Sequence, residues 1–134
     1  MEVHLVTAID VHVHIPVPDS MQHPRELARR AAMQEYFGAR AWSPNSMDVD
    51  QLADHYREMD SMAVLLMIDA ETVSGVPPIP LSFVSDAVKK HPDAFMGFGG
   101  VDPHKGRAAV EQLDQVVDLG LIGLKFHGGS QHFA

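Results

Sequence analysis

Apolar and polar positions alternate, then run together, then recur at helical spacing, and that succession repeats along the chain. From Leu5 the apolar pair Leu5-Val6 leads through Ile9 into the alternating Ile9-Asp10-Val11-His12-Val13-His14. Strict alternation is the period of a strand, which predicts a first strand over 5–14 with Asp10, His12 and His14 on one face and Ile9, Val11 and Val13 on the other. Ile15-Pro16-Val17-Pro18 ends it, because proline interrupts strand pairing. Pro24 suits the first turn of a helix that runs through Arg25-Glu26-Leu27-Ala28-Arg29-Arg30-Ala31-Ala32-Met33 to Tyr36-Phe37-Gly38. Residues 39–45 read as a loop, and Ser46 or Asp48 caps a helix carrying Leu52, Tyr56 and Met59 at helical spacing.

The next run, Ala63-Val64-Leu65-Leu66-Met67-Ile68, is apolar throughout. Continuous apolar runs of this length mark strands buried on both faces of a parallel sheet. A loop is expected from Asp69 to Pro80, then a short helix from Phe83 to His91 with Phe83, Val84, Ala87 and Val88 inward, stopped by Pro92. Phe95-Met96-Gly97-Phe98-Gly99 is a third strand, and Asp102-Pro103 opens a helix that carries Ala109, Val110, Leu113, Val116 and Val117, with Gly120 beyond its end. Leu121 to His127 is a fourth strand, followed by a Gly128-Gly129-Ser130 loop. The order strand, helix, strand, helix, strand, helix, strand predicts an α/β fold of parallel (β/α) units with helices covering the sheet. No linker or composition break divides the chain, so residues 1–134 read as a single domain.

Composition narrows the function classes. With 10 basic against 18 acidic residues the formal charge is −8, and no basic stripe for nucleic acid is present. No apolar run reaches membrane-spanning length, and the first ten residues lack the basic start of a signal peptide. There is no cysteine, which removes disulfides and thiol nucleophiles and fits a cytoplasmic protein. Gly97-Phe98-Gly99-Gly100 lacks the spacing of a dinucleotide fingerprint, and no Walker motif occurs.

The chemistry collects at the carboxyl ends of the expected strands, the side on which parallel α/β folds build their sites. Strand one ends in His12 and His14, strand two in Asp69 with Glu71 beyond, strand three in Asp102 and His104, and strand four in Lys125 and His127. Two imidazoles two residues apart on a strand can reach one divalent ion, with Zn the expected metal and Mn the alternative. Such an ion acidifies bound water or polarises a carbonyl. A catalytic zinc site takes three protein ligands and an open position, for which Asp69 and Asp102 are the candidates in this chain. Asp102 equally suits a helix cap, Asp69 a turn, and Lys125 either a substrate-anion contact, a carbamylated metal bridge, or a solvated lysine.

Taken together, Ile9-Asp10-Val11-His12-Val13-His14, Asp69-Ala70-Glu71-Thr72, Val101-Asp102-Pro103-His104-Lys105-Gly106 and Gly123-Leu124-Lys125-Phe126-His127 resemble the amidohydrolase-related family. That family holds metal-dependent TIM-barrel hydrolases and decarboxylases similar to aminocarboxymuconate-semialdehyde decarboxylase. The resemblance implies the amino-terminal half, strands one to four, of a (β/α)8 barrel. It implies His12 and His14 as strand-one metal ligands and matches His127 to a histidine after the fourth strand that lies on the substrate side and is not a ligand. The strand ends themselves offer His127, Asp102 and Lys125 as candidate catalytic groups and Asp69 and Glu71 as candidate substrate contacts. The implied activity is metal-dependent hydrolysis of a small lactone, ester or amide. The alternatives are non-oxidative decarboxylation of a small, often aromatic, acid, or a half-barrel without catalysis. The family's further ligands lie on strands five and eight, which these residues do not include. An eight-unit barrel takes about 250 residues. A half-barrel leaves two open edges, so a fragment of a longer enzyme or a homo-oligomer is expected, with a small molecule as the other partner.

Overall fold

The computed structural model describes residues 5–38 and 47–133. Four strands form one sheet in the order β1 (Ala8–His14), β2 (Ser61–Leu66), β3 (Phe95–Gly100) and β4 (Gly123–Lys125), each parallel to its neighbour. The sheet curls as half of a barrel, with helices in each connection. After β1 comes α1 (Pro24–Phe37), then α2 (Val49–Glu58) before β2; α3 (Glu71–Ser74) and α4 (Leu81–Lys90) precede β3; α5 (Arg107–Asp118) leads to β4 and α6 (Gly128–Gln131) follows it.

Local signals start and stop these elements. Pro24 is the first residue of α1, and His23 Nδ1 accepts the Arg25 N–H at 3.2 Å as its cap. Asp48 is the cap of α2, with its side chain and that of Gln51 exchanging backbone N–H bonds in a capping box. Gly120 takes φ +75° just past α5, the left-handed conformation that a β-carbon disfavours. The expected loop at 39–45 lies outside the described residues.

The core lies between sheet and helices. Ala63, Leu65 and Met67 of β2 and the segment after it pack with Ala53 and Tyr56 of α2, Val84 and Ala87 of α4 and Val116 of α5. Glycines let the helices approach β3. A β-carbon on Gly97 would come within 2.7 Å of Leu121 and 3.0 Å of Val88, and one on Gly99 would overlap Val116.

Several expectations are corrected. β1 begins at Ala8, not Leu5, and β4 ends at Lys125. The loops at 69–80 and 128–130 contain the short helices α3 and α6. Asp102 caps a separate 3-10 turn, Pro103–Lys105, and Gly106 at φ +57° breaks it from α5. In α5 only Val116 is buried; Val110 and Val117 are 60% and 66% exposed, because no described element covers that side of the helix.

The largest correction concerns β1. Asp10 pairs with Ala63 but Val13 pairs with Leu65, so three steps on β1 match two on β2. That extra residue is a bulge, and it shifts the alternation by one. Asp10 therefore shares the helix-side face with Ala63, while His14 shares the opposite, lumen face with its partner Leu66. The three polar residues do not line one face.

Candidate functional site at the strand ends

On the lumen side of the bulge the two rings of His12 and His14 lie with centroids 5.3 Å apart and planes 36° from each other. Lys125 belongs to the same region: its register partner is Gly100, and its Nζ lies 3.4 Å from His12 Nε2. A lysine ammonium can only donate, so His12 Nε2 is the acceptor in this contact. The His14 pKa is held below its ordinary value, first by desolvation and then by the charges of His12, Lys125, His127 and Arg29. Every named charge acting on His14 is basic. A neutral imidazole with a free lone pair is the state in which histidine binds a metal.

His127 is placed by the turn that follows β4. Its ring Nδ1 accepts the Ser130 N–H at 3.0 Å and caps α6. An accepting Nδ1 leaves the proton of the neutral ring on Nε2. His127 therefore has a donor at Nε2 in the neighbourhood of His14.

Asp69 and Asp102 have different surroundings. Both are fully buried. Asp69 Oδ2 accepts from Lys105 Nζ and from Gln112 Nε2, each at 2.7 Å, and its Oδ1 accepts the Glu71 N–H at 3.1 Å. Glu71 itself pairs with Lys105 at 2.7 Å. Burial alone would lower the Lys105 pKa, but the bonds to Asp69 and Glu71 outweigh it and raise it. Asp102 receives the backbone N–H groups of Thr72 and His104, each at 2.9 Å. Burial pushes its pKa upward, yet these bonds and Lys105 hold it below the ordinary carboxylate value. These carboxylates are engaged in holding the strand-end loops together. Among the described residues no group of three or more His, Cys, Asp or Glu side chains is gathered for one ion, so neither aspartate completes a shell with His12 and His14.

Sequence reasoning passed over three residues that shape this region. Lys105 neutralises the buried Asp69. Arg29 of α1 acts on His14. Gln131, fully buried, bonds the ends of three strands. Lys105 lies within one of the stretches that carry the resemblance but had no role assigned, and Arg29 and Gln131 belong to no spacing pattern.

A solved structure from Bordetella bronchiseptica, the uncharacterized TIM-barrel protein Bb4693, matches this chain with a TM-score of 0.60 at 18% identity. The fold is TIM-barrel-like. The match covers 87% of this chain and 42% of that one, so the chain spans less than half the length of that protein. No family model and no curated protein matches the chain. TIM barrels are common among enzymes and carry their sites at the carboxyl ends of the strands. No described helix is long and apolar enough to cross a membrane.

Proposed function

We propose that this half-barrel carries the strand-one part of the metal site of an amidohydrolase-like hydrolase acting on a small lactone, ester or amide. The observation that supports the reading is the His12–His14 pair, rings 5.3 Å apart, on the lumen side of β1 at its carboxyl end. Two imidazoles fit two positions of a zinc or manganese shell. The remaining donors come from a second half-barrel, either further chain or another copy. A bound divalent ion would supply Lewis acidity and an acidified water.

The chain's own groups have separate tasks in this reading. His12 and His14 hold the ion, His12 Nε2 exchanging its contact with Lys125 Nζ for the metal. Lys125, beside His12, orients an anionic group of the substrate. His127 donates a hydrogen bond from its Nε2–H to the oxygen on which charge develops, because its Nδ1 is occupied by Ser130 N–H. Asp102 and Asp69 shape the loops behind these groups, and Glu71 stands with Lys105 at that border. The basic surroundings of His14 favour a carboxylate-bearing substrate, which also supports the second reading, decarboxylation of a small acid.

Zinc titration of the purified chain tests the metal step. Uptake of Zn2+ with a raised melting temperature is expected, and His12→Ala/His14→Ala should lose at least about tenfold in affinity. Equal behaviour of wild type and double variant, or no uptake at all, leaves a half-barrel without a metal role. Ring opening of lactones against carbon dioxide release from aromatic acids separates the two activities.

A further inference from the structure

A single buried amide ties together the ends of three consecutive strands. Gln131 is fully buried although it lies close to the end of the described chain. Its Nε2 donates to Asp69 O at 2.7 Å, beyond β2, and to Val101 O at 2.8 Å, beyond β3. Its Oε1 accepts the His127 N–H at 2.8 Å, beyond β4. Two carbonyl oxygens can be met only by the NH2 side of the amide, so its orientation is unambiguous. Its own backbone carbonyl is engaged by His104 Nε2, from the turn after β3.

The consequence falls on His127. Its carbonyl accepts the Ser130 and Gln131 N–H groups as the start of α6, and two side-chain bonds add to this: its backbone N–H donates to Gln131 Oε1, and its ring Nδ1 accepts Ser130 N–H. Removing the Gln131 amide would leave two buried carbonyls and one N–H without this partner, and the turn that orients the ring would lose its side-chain anchor to the ends of β2 and β3, keeping only the backbone tie to His104.

We propose that Gln131 is the positioning residue of His127, referencing that histidine to the ends of β2 and β3 through one satisfied amide. Its functional meaning rests on the reading of His127 as the hydrogen-bond donor to the substrate; its structural content does not.

Nitrogen-15 NMR of the full chain tests it. In wild type the His127 ring should show the Nε2–H tautomer, and the His127 backbone amide should exchange on the order of 100-fold more slowly than an open chain. Gln131→Met keeps the volume and removes all three bonds. It should speed exchange of the His127 and Ser130 amides at least about tenfold and shift His127 Nδ1, while the Gln51 amide in the α2 cap stays as it was. An unchanged His127 signal in the variant overturns the proposal. If the variant does not fold, the wild-type amide decides: slow exchange at His127 supports the tether and open-chain exchange overturns it. These readouts need no metal. A failure of zinc uptake with an intact His127 response removes the proposed function and leaves the positioning role, and the reverse pattern does the opposite.

Discussion

The Tyr56 hydroxyl donates to Asp10 Oδ2 at 2.9 Å, joining α2 to the helix-side face of β1. The bond exists because the bulge between Asp10 and Val13 turns Asp10 away from His14. Asp10 Oδ1 accepts the His12 N–H at 3.0 Å, so the same carboxylate braces the bulge and the helix. Tyr56→Phe should cost about 1 kcal/mol, read as a lower urea midpoint at pH 7. Burial and the bond to Asp10 push the Tyr56 hydroxyl up to about 12. Folded Tyr56 therefore keeps its proton where the unfolded chain loses it. The associated stability is present below pH 10 and fades as pH rises from there through about 12. Absorbance at alkaline pH should show a late phenolate step that Tyr56→Phe removes.

His14 gives the opposite sign. Its pKa is lowered by desolvation first, then by His12, Lys125, His127 and Arg29. Below its ordinary value of 6.5 the unfolded state binds the proton before the folded state does. Stability from this group is full above that value and falls as pH drops through the folded pKa. The wild-type urea midpoint should decline over this window more than that of His14→Asn, and matching declines would remove the effect from His14.

Asp69 separates scaffold from site. Its carboxylate is fully buried against Lys105, whose side chain is 20% exposed and shared with Glu71. Asp69→Asn should cost about 2–3 kcal/mol by leaving that ammonium short of a partner, somewhat less than for a fully enclosed pair. Thermal melting would show the loss. Zinc affinity of the folded fraction should stay within about twofold of wild type, since the second-sphere effect falls on neither histidine. A stable variant with lost substrate binding would put Asp69 on the substrate side.

Gly99 meets α5 too closely for a side chain, because its β-carbon would overlap Val116. Gly99→Ala should destabilise by about 1–3 kcal/mol through overpacking. Adding Val116→Ala should recover part of the loss, since the smaller side chain vacates that space. Additive losses in the double variant would show that the two positions do not compete for it.

Much of the fold was legible because it follows from local chemistry. The apolar run around Ala63–Met67 announced a doubly buried strand, Pro24 a helix start, Asp48 a cap and Gly120 a stop, and each rests on interactions within a few residues. The alternating order of strands and helices was enough for parallel (β/α) units. The candidate residue types could be read from the chain, and His12, His14, Lys125 and His127 lie toward or just beyond the carboxyl ends of β1 and β4. The burial of α5 was not legible, because Val110 and Val117 have the right chemistry and spacing for a core they do not meet.

By itself the sequence determined the strand–helix order, the caps, and the pairing of two imidazoles two residues apart. Tertiary structure alone decided which way those imidazoles face, because a bulge is defined only against the partner strand β2. It also decided that Asp69 and Asp102 spend their oxygens on Lys105, Gln112 and backbone N–H groups, and that Gln131 ties three strand ends. A buried polar group takes whatever partner the fold brings within hydrogen-bond reach, and residues 30 or 62 positions apart in the chain leave no periodic trace of that meeting.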